Sequence, residues 1–205
     1  TLKNGMRVFL MEDHELPLIQ VQARIRTGSW YEPADKVGLA SIMGGVQRSS
    51  GTATMPADRM DEVLALRAAS VETGVGSDSG FASMDCLKQD FDEVFKIFAD
   101  VLRNPAFPED RIQVEKGQVT TGIARRNDDP GSIAEREFGA LMYGKDSPLA
   151  REPEYATVAA ITRQDLVDFH GRFYHPNNVY LGVVGDFAPA EMKKKIETVL
   201  GAWPP

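Results

Sequence analysis

Ser41 and three histidines are the side chains whose types suit nucleophilic catalysis in this sequence. A serine becomes a nucleophile when a histidine base lies within hydrogen-bonding reach of its hydroxyl group. The candidate bases are His14, His170 and His175, and none accompanies a nucleophile motif such as G-x-S-x-G. The sequence therefore favours a packing role for Ser41 over a catalytic one.

Metal binding needs several ligands at a suitable spacing, and the sequence offers few candidates. His170 and His175 are five residues apart, a spacing that does not place both on one face of a helix. His175 precedes a proline and is predicted to be extended. We expect packing or capping roles for these two residues and a solvated loop position for His14. Cys86 is the single cysteine, which excludes an internal disulfide and a cysteine-based zinc site.

Asp128 and Asp129 form a carboxylate pair of the kind that binds calcium or magnesium. Further oxygen ligands at loop spacing are missing, so a turn that ends a helix fits the pair better. Arg125 and Arg126 precede the pair, and their positive charge favours the carboxyl end of that helix. We therefore expect structural roles for all four residues.

The segment GLASIMGGVQRSSGT, residues 38–52, carries an unusual pair of glycines. Its apolar residues recur at the spacing of a buried helix face, at Leu39, Ile42, Met43 and Val46. Gly44 and Gly45 interrupt this face, although each glycine costs a helix interior about 1 kcal/mol relative to alanine. A helix that carries this cost is expected to have a specific reason for it.

Hydrophobic periodicity predicts the elements that position these residues. Strands are predicted at Arg7–Leu10, at Ile19–Arg26, in a hairpin over 70–87 and at Val179–Val184. Helices are predicted over 34–48, 53–69, 89–105, 107–130, 131–144, 162–176 and 188–203, with Ser132 and Thr162 as caps. Paired strands with helices bunched between them favour an α+β fold with a largely antiparallel sheet and helices packed on one face.

The composition limits the partners that this chain can have. With 205 residues, 42% of them hydrophobic, the chain is long enough to bury the core of one large domain. Its net charge of −7 argues against nucleic acid or an anionic membrane as the main partner. No run approaches the roughly 20 apolar residues of a membrane span. No boundary in composition divides the chain, so we expect one domain.

Five segments of the sequence occur in a familiar order. They are LKNGMRVFLMEDHELPLIQVQARIRTGS near the start, VGLA at 37–40, and the stretches over 98–110, 125–138 and 173–187. Together they resemble the M16 metallopeptidases, which include the insulin-degrading, pitrilysin-like and mitochondrial processing peptidases. The resemblance covers essentially the whole chain and implies the α+β fold of that family.

Active members of this family carry the zinc motif H-x-x-E-H on the first helix, and a further glutamate about 75 residues downstream. The two histidines bind zinc from one helix face, and the glutamate activates the metal-bound water. This chain has Ser41-Ile42-Met43-Gly44-Gly45 there, and Thr121 and Gly122 at the downstream position. The resemblance therefore implies an N-terminal-type domain, over residues 1–205, that is one half of a longer two-domain chain and has no catalytic residues and no zinc of its own.

Glu115 and Asp128 are the carboxylates nearest to the downstream position. Each lies about two helical turns from it, so we expect neither to replace the missing glutamate.

The resemblance implies a role that does not need catalysis. The chain is expected to help form a chamber around a peptide, together with an active M16 zinc peptidase subunit or a second M16-like domain. Family members hold peptides partly by adding them as a strand to a sheet edge. Two alternatives stay open, namely part of a zinc metalloendopeptidase whose motif lies outside this chain, and a purely structural assembly subunit. An extracytoplasmic location, such as the bacterial periplasm, is favoured over the cytoplasm.

Overall fold

The computed structural model describes all residues from Thr1 to Pro205, and its five strands form one sheet. The strands are β1 Arg7–Glu12, β2 Leu18–Ile25, β3 Ser70–Val75, β4 Gly80–Leu87 and β5 Val179–Gly185. Their order in the sheet is β1-β5-β2-β4-β3. Only the pair of β1 and β5 is parallel, and the other three pairs are antiparallel. The largely antiparallel sheet predicted from the sequence is confirmed, with β1 and β3 as its two edges.

Eight α-helices accompany the sheet. They are α1 Leu39–Ser49, α2 Ala57–Leu66, α3 Phe91–Arg103, α4 Glu109–Arg125, α5 Pro130–Tyr143, α6 Tyr155–Ala160, α7 Arg163–Phe173 and α8 Pro189–Leu200. None of them combines the length and the apolar character that a membrane crossing requires.

The helices cover one face of the sheet and leave the other face open. Along β2 every second side chain is buried, from Ile19 to Ile25, and the residues between them are exposed. α3 lies against this buried face and adds three phenylalanines, Phe91, Phe95 and Phe98, whose rings stack in sequence. One contiguous hydrophobic core results, and the predicted α+β class is confirmed.

α1 begins later than the sequence predicts. Residues 34–36 form a short 3-10 turn, and α1 starts at Leu39 rather than at residue 34. Gly38 precedes it with φ at +105°, a left-handed conformation that interrupts a helix and favours glycine. The buried carboxylate of Glu32 accepts hydrogen bonds from the amides of Gly38, at 3.0 Å, and Ala40, at 2.9 Å. Burial raises the pKa of Glu32, and these two amides partly oppose that rise.

The caps and ends of three other helices differ in part from the predictions. Asp129, not Ser132, caps α5, because its side chain accepts the amide of Ser132 at 2.6 Å. The prediction of Ser132 as the cap is therefore wrong, whereas Thr162 caps α7 as predicted. α4 ends at Arg125, before the predicted end at residue 130. α6 was not predicted, because it has six residues and buries only Val158.

Candidate functional site

The three residues at the zinc-motif positions lie on α1, but only two of them face outward. Ser41 is exposed, Gly45 is half-buried and Gly44 is buried. Ser41 and Gly45 are four residues apart and so share one face of the helix. Gly44 points instead towards the sheet, where α1 packs on β3.

Gly44 allows α1 to approach the backbone of β3 very closely. A Cβ atom at this position would lie 2.6 Å from the amide nitrogen of Val75 and 3.0 Å from the carbonyl carbon of Gly74. Real Cβ atoms essentially never come within 3.0 Å of such atoms. The hydroxyl of Thr73 also donates a hydrogen bond of 2.9 Å to the carbonyl oxygen of Gly44. No side chain therefore fits at position 44 while α1 stays where it is.

Gly45 lies against the carboxylate of Glu115 on α4. A Cβ atom at Gly45 would lie 2.5 Å from Oε1 and 2.7 Å from Cδ of Glu115. No ion pair or side-chain hydrogen bond engages this carboxylate, and burial raises its pKa. The prediction from the sequence concerns only the distance of Glu115 from the downstream position along α4. The packing of α4 on α1 adds a contact that this distance does not reveal, that of Glu115 with Gly45.

The downstream positions Thr121 and Gly122 provide no metal ligand. Both are exposed, the Thr121 hydroxyl donates to the carbonyl of Gly117, and nothing lies within 4 Å of a Cβ atom at Gly122. No group of three or more histidine, cysteine, aspartate or glutamate side chains in the structure could hold a metal ion. Zinc needs about four nitrogen, sulfur or carboxylate ligands. A single carboxylate, Glu115, does not fit it.

The structure brings none of the histidines into hydrogen-bonding contact with Ser41. His14 pairs through Nδ1 with Asp186 at 2.7 Å, at an exposed position. His170 is buried, and its Nε2 lies 2.9 Å from the carbonyl oxygen of Leu102 in the last turn of α3. Burial lowers the pKa of His170 to about 4, so the neutral ring donates to a carbonyl that the helix leaves unpaired.

The charged residues at the junction of α4 and α5 hold that junction together. Asp129 caps α5, while Arg126 donates to the carbonyl of Pro153 at 3.2 Å and pairs with Glu154 at 2.8 Å. The contacts of Arg126 and Asp129 stabilise the structure, which agrees with the structural roles that the sequence favours for them. Arg125 is the last residue of α4, at the carboxyl end where a positive charge is favourable.

The free edge of β3 is a feature that the sequence did not reveal. The amide of Gly76 bonds to the carbonyl of Ser79 in the β3–β4 turn. Hydrogen bonding alternates along an antiparallel pair, so Glu72 and Gly74 also pair with β4. The backbone groups of Val71, Thr73 and Val75 therefore point to the free edge, next to α1.

Arg48 on α1 occupies part of this edge. Its Nε donates to the carbonyl oxygen of Val71 at 2.8 Å, and one terminal nitrogen pairs with Asp61 at 2.6 Å. The Arg48 side chain is 18% exposed. The only sequence signal for this role is a cation seven residues after Ser41, on the outward face of α1.

Two family descriptions match the chain. Residues 7–151 match the insulinase, or M16 peptidase, family, and residues 160–205 match the M16 inactive domain. An uncharacterised zinc protease of Rickettsia felis is 25% identical over 90% of this chain and 45% of its own length. The chain thus spans about half of that curated relative.

Solved structures share the fold. A peptidase M16 inactive domain from Pseudomonas fluorescens superposes with a TM-score of 0.90 and 24% identity, over 100% of this chain and 50% of its own. The periplasmic protease PqqL of Escherichia coli gives a TM-score of 0.84 and 24% identity, over 100% of this chain and 23% of its own. At these identities the likeness shows the fold alone, whereas the family match covers most of the sequence. The chain belongs to the M16 peptidase family.

Proposed function

We propose that this chain is a non-catalytic M16 domain that helps to enclose a peptide, together with a zinc-bearing M16 domain. The zinc-bearing domain lies either on another subunit or in a second domain of the same chain. The support comes from α1, where Ser41, Gly44 and Gly45 supply neither the two imidazoles nor the carboxylate that an M16 zinc site needs.

The packing of Gly44 strengthens this proposal. The glutamate that would activate water must extend from this position, and the backbone of β3 leaves no room for even its Cβ atom. The position of α1 therefore allows close packing on β3 but leaves no space for the side chain that would activate water. Position 44 therefore has no room for a general base.

Two further observations favour a second M16 domain as the partner. The matched relatives and structures are about twice as long as this chain or longer, which leaves room for at least one more domain of similar size. The M16 inactive domain family matches residues 160–205 of this chain, after the insulinase family has matched residues 7–151. An extracytoplasmic location is part of the proposal, supported by the similarity to PqqL, which is a periplasmic protease.

The proposal also gives the chain a way to hold a peptide. Strand addition uses the main chain of the ligand and therefore needs no catalytic residue. Thr73 directs its amide and carbonyl groups to the free edge of β3, beside α1, and neither group bonds to α1. We assign peptide binding to this edge.

Metal content and peptide cleavage test the proposal together. The purified chain is equilibrated with zinc, desalted and analysed by mass spectrometry, and its cleavage of a fluorogenic peptide library is measured with and without a chelator. We expect far less than one zinc per chain and no chelator-sensitive cleavage. Adding a zinc-bearing M16 chain from the same genome, at micromolar concentration, should give cleavage that increases with the amount of this chain.

Two outcomes would contradict the proposal. One is stoichiometric zinc or chelator-sensitive cleavage with the chain alone, which would mean that unfamiliar residues hold the metal. The other is cleavage by the zinc-bearing chain that does not change when this chain is added.

A further inference from the structure

Arg48 has donors to spare at the edge of β3. A guanidinium carries five N–H groups, and the two bonds described, to Val71 and Asp61, leave the other terminal nitrogen free of any hydrogen bond. The side chain of Asp61 is 58% exposed, so water screens its interaction with Arg48. Arg48 therefore presents unused, positively charged donors beside the backbone of Val71.

The direction of an added strand decides which part of a peptide meets these donors. β3 pairs antiparallel with β4, and antiparallel pairing is the more stable arrangement for a further strand. A peptide that pairs antiparallel with β3 runs from the Val75 end towards the Val71 end. Its carboxyl-terminal side therefore reaches Arg48 after it has passed Thr73.

We infer that the β3 edge binds the carboxyl-terminal end of an extended peptide, and that Arg48 recognises its terminal carboxylate. Thr73 exchanges two main-chain hydrogen bonds with the peptide. The guanidinium of Arg48 then donates a charge-assisted hydrogen bond to the terminal carboxylate of the peptide. This inference rests on the proposed peptide binding and adds to it the chemical end of the peptide that is recognised.

Arg48 also limits how far the peptide extends. Its Nε stands 2.8 Å from the carbonyl oxygen of Val71, the distance at which a peptide amide would bond to the same atom. A chain that continues past Thr73 must displace this bond. A chain that ends there meets the guanidinium instead, so the edge prefers peptide termini to internal segments.

The test compares a free-acid peptide with its amide. The probe is an eight-residue peptide of alternating threonine and valine, with two amino-terminal lysines and a fluorescein label, made with a free carboxylate and with a carboxamide. Fluorescence anisotropy measures the binding of both forms to the wild-type chain and to Arg48→Met, which keeps the apolar stem of the side chain. A third peptide, N-methylated at alternate residues, loses the amides that strand addition requires.

We expect the free acid to bind the wild-type chain about tenfold more tightly than the amide, as one charge-assisted hydrogen bond allows. In Arg48→Met this preference should disappear, and the N-methylated peptide should bind neither protein. Arg67→Met is the matched control, because Arg67 also pairs with a carboxylate and a backbone carbonyl, those of Glu93 and Val63, but not with β3. It should keep the preference.

The outcomes separate this inference from the proposed function. Equal binding of acid and amide to the wild-type chain overturns the role of Arg48 and leaves peptide binding intact. No binding of any peptide overturns the inference together with peptide binding at this edge. If Arg48→Met does not fold, Arg48→Lys serves instead, because it keeps the charge without the planar fork. It should retain a reduced preference, and an unchanged or absent preference in this folded variant would overturn the inference.

Discussion

Replacing Gly44 by alanine is expected to destabilise the fold, whereas the same change at Gly45 is expected to stabilise it. The two glycines are neighbours in α1, so alanine gains about the same helix propensity at both, about 1 kcal/mol. What differs is the group that the new methyl meets. At position 44 it meets the backbone of β3, and at position 45 it meets the end of the Glu115 side chain.

The cost at Gly44 follows from the rigidity of β3. The methyl group would lie 2.6 Å from the nitrogen of Val75 and 2.9 Å from its Cγ2. Hydrogen bonds from the neighbouring residues Gly74 and Gly76 hold this part of β3 against β4, so α1 itself must move. Overpacking of this kind costs about 1–3 kcal/mol, and towards the upper end when backbone is the obstacle. After the gain in propensity, Gly44→Ala should lower the free energy of unfolding by about 1–2 kcal/mol.

The obstacle at Gly45 can move. The Glu115 carboxylate has no bonding partner, and rotation into water would relieve the burial that raises its pKa. Gly45→Ala should therefore keep most of the propensity gain and raise the free energy of unfolding by about 0.5–1 kcal/mol. In a domain of this size, 1 kcal/mol shifts Tm by about 2–4 °C.

Urea denaturation and calorimetry of both variants measure the difference directly. The two variants should differ by about 2 kcal/mol, with Gly44→Ala below the wild type and Gly45→Ala above it. If Gly44→Ala were as stable as Gly45→Ala, α1 would not lie on β3 as described, and the packing reason for Gly44 would be refuted.

Three further predictions concern stability and reactivity. Burial lowers the pKa of His170 to about 4; because the unfolded chain binds a proton near pH 6.5, stability should fall by up to about 3 kcal/mol between pH 7 and pH 4. His170→Gln should flatten that part of the pH profile in urea titrations, and an unchanged profile would contradict it. Burial and nearby acidic residues raise the pKa of the Cys86 thiol to about 12, so it should react with Ellman's reagent only after unfolding; rapid labelling of the native chain would count against this. Thr162→Ala should remove the cap of α7 and cost about 1 kcal/mol by thermal unfolding, and an unchanged Tm would argue against the cap.

The sheet could be predicted from the sequence because alternation reports burial directly. Alternation predicts the strands at Arg7–Leu10 and Ile19–Arg26, and the turn residues at 76–80 predict the hairpin over 70–87; β1 to β4 occur there. The start of α1 could not be predicted, because the carboxylate that accepts its first amides, those of Gly38 and Ala40, belongs to Glu32 on the far side of a 3-10 turn. No local pattern records a cap that lies so far from its helix.

For the candidate site, the sequence predicts only which metal ligands are missing. The sequence shows that Ser41, Gly44 and Gly45 lack ligand atoms, but not why two glycines occur together. The reasons are contacts between distant segments, those of Gly44 with β3 and of Gly45 with Glu115. The role of Arg48 could not be predicted for the same reason, since its partner is the backbone carbonyl oxygen of Val71, which no sequence pattern marks.

The close approach of α1 to β3 limits the substitutions that position 44 can accept. Two of the four glycine codons become glutamate codons by a single nucleotide change, so the obstacle to a general base here is physical and not genetic. The amide of Val75 blocks that step physically, because the new side chain has no place until the helix retreats. Placing a glutamate at position 44 would therefore require α1 and β3 to move apart. A helix packed in this way has no room for a general base at position 44.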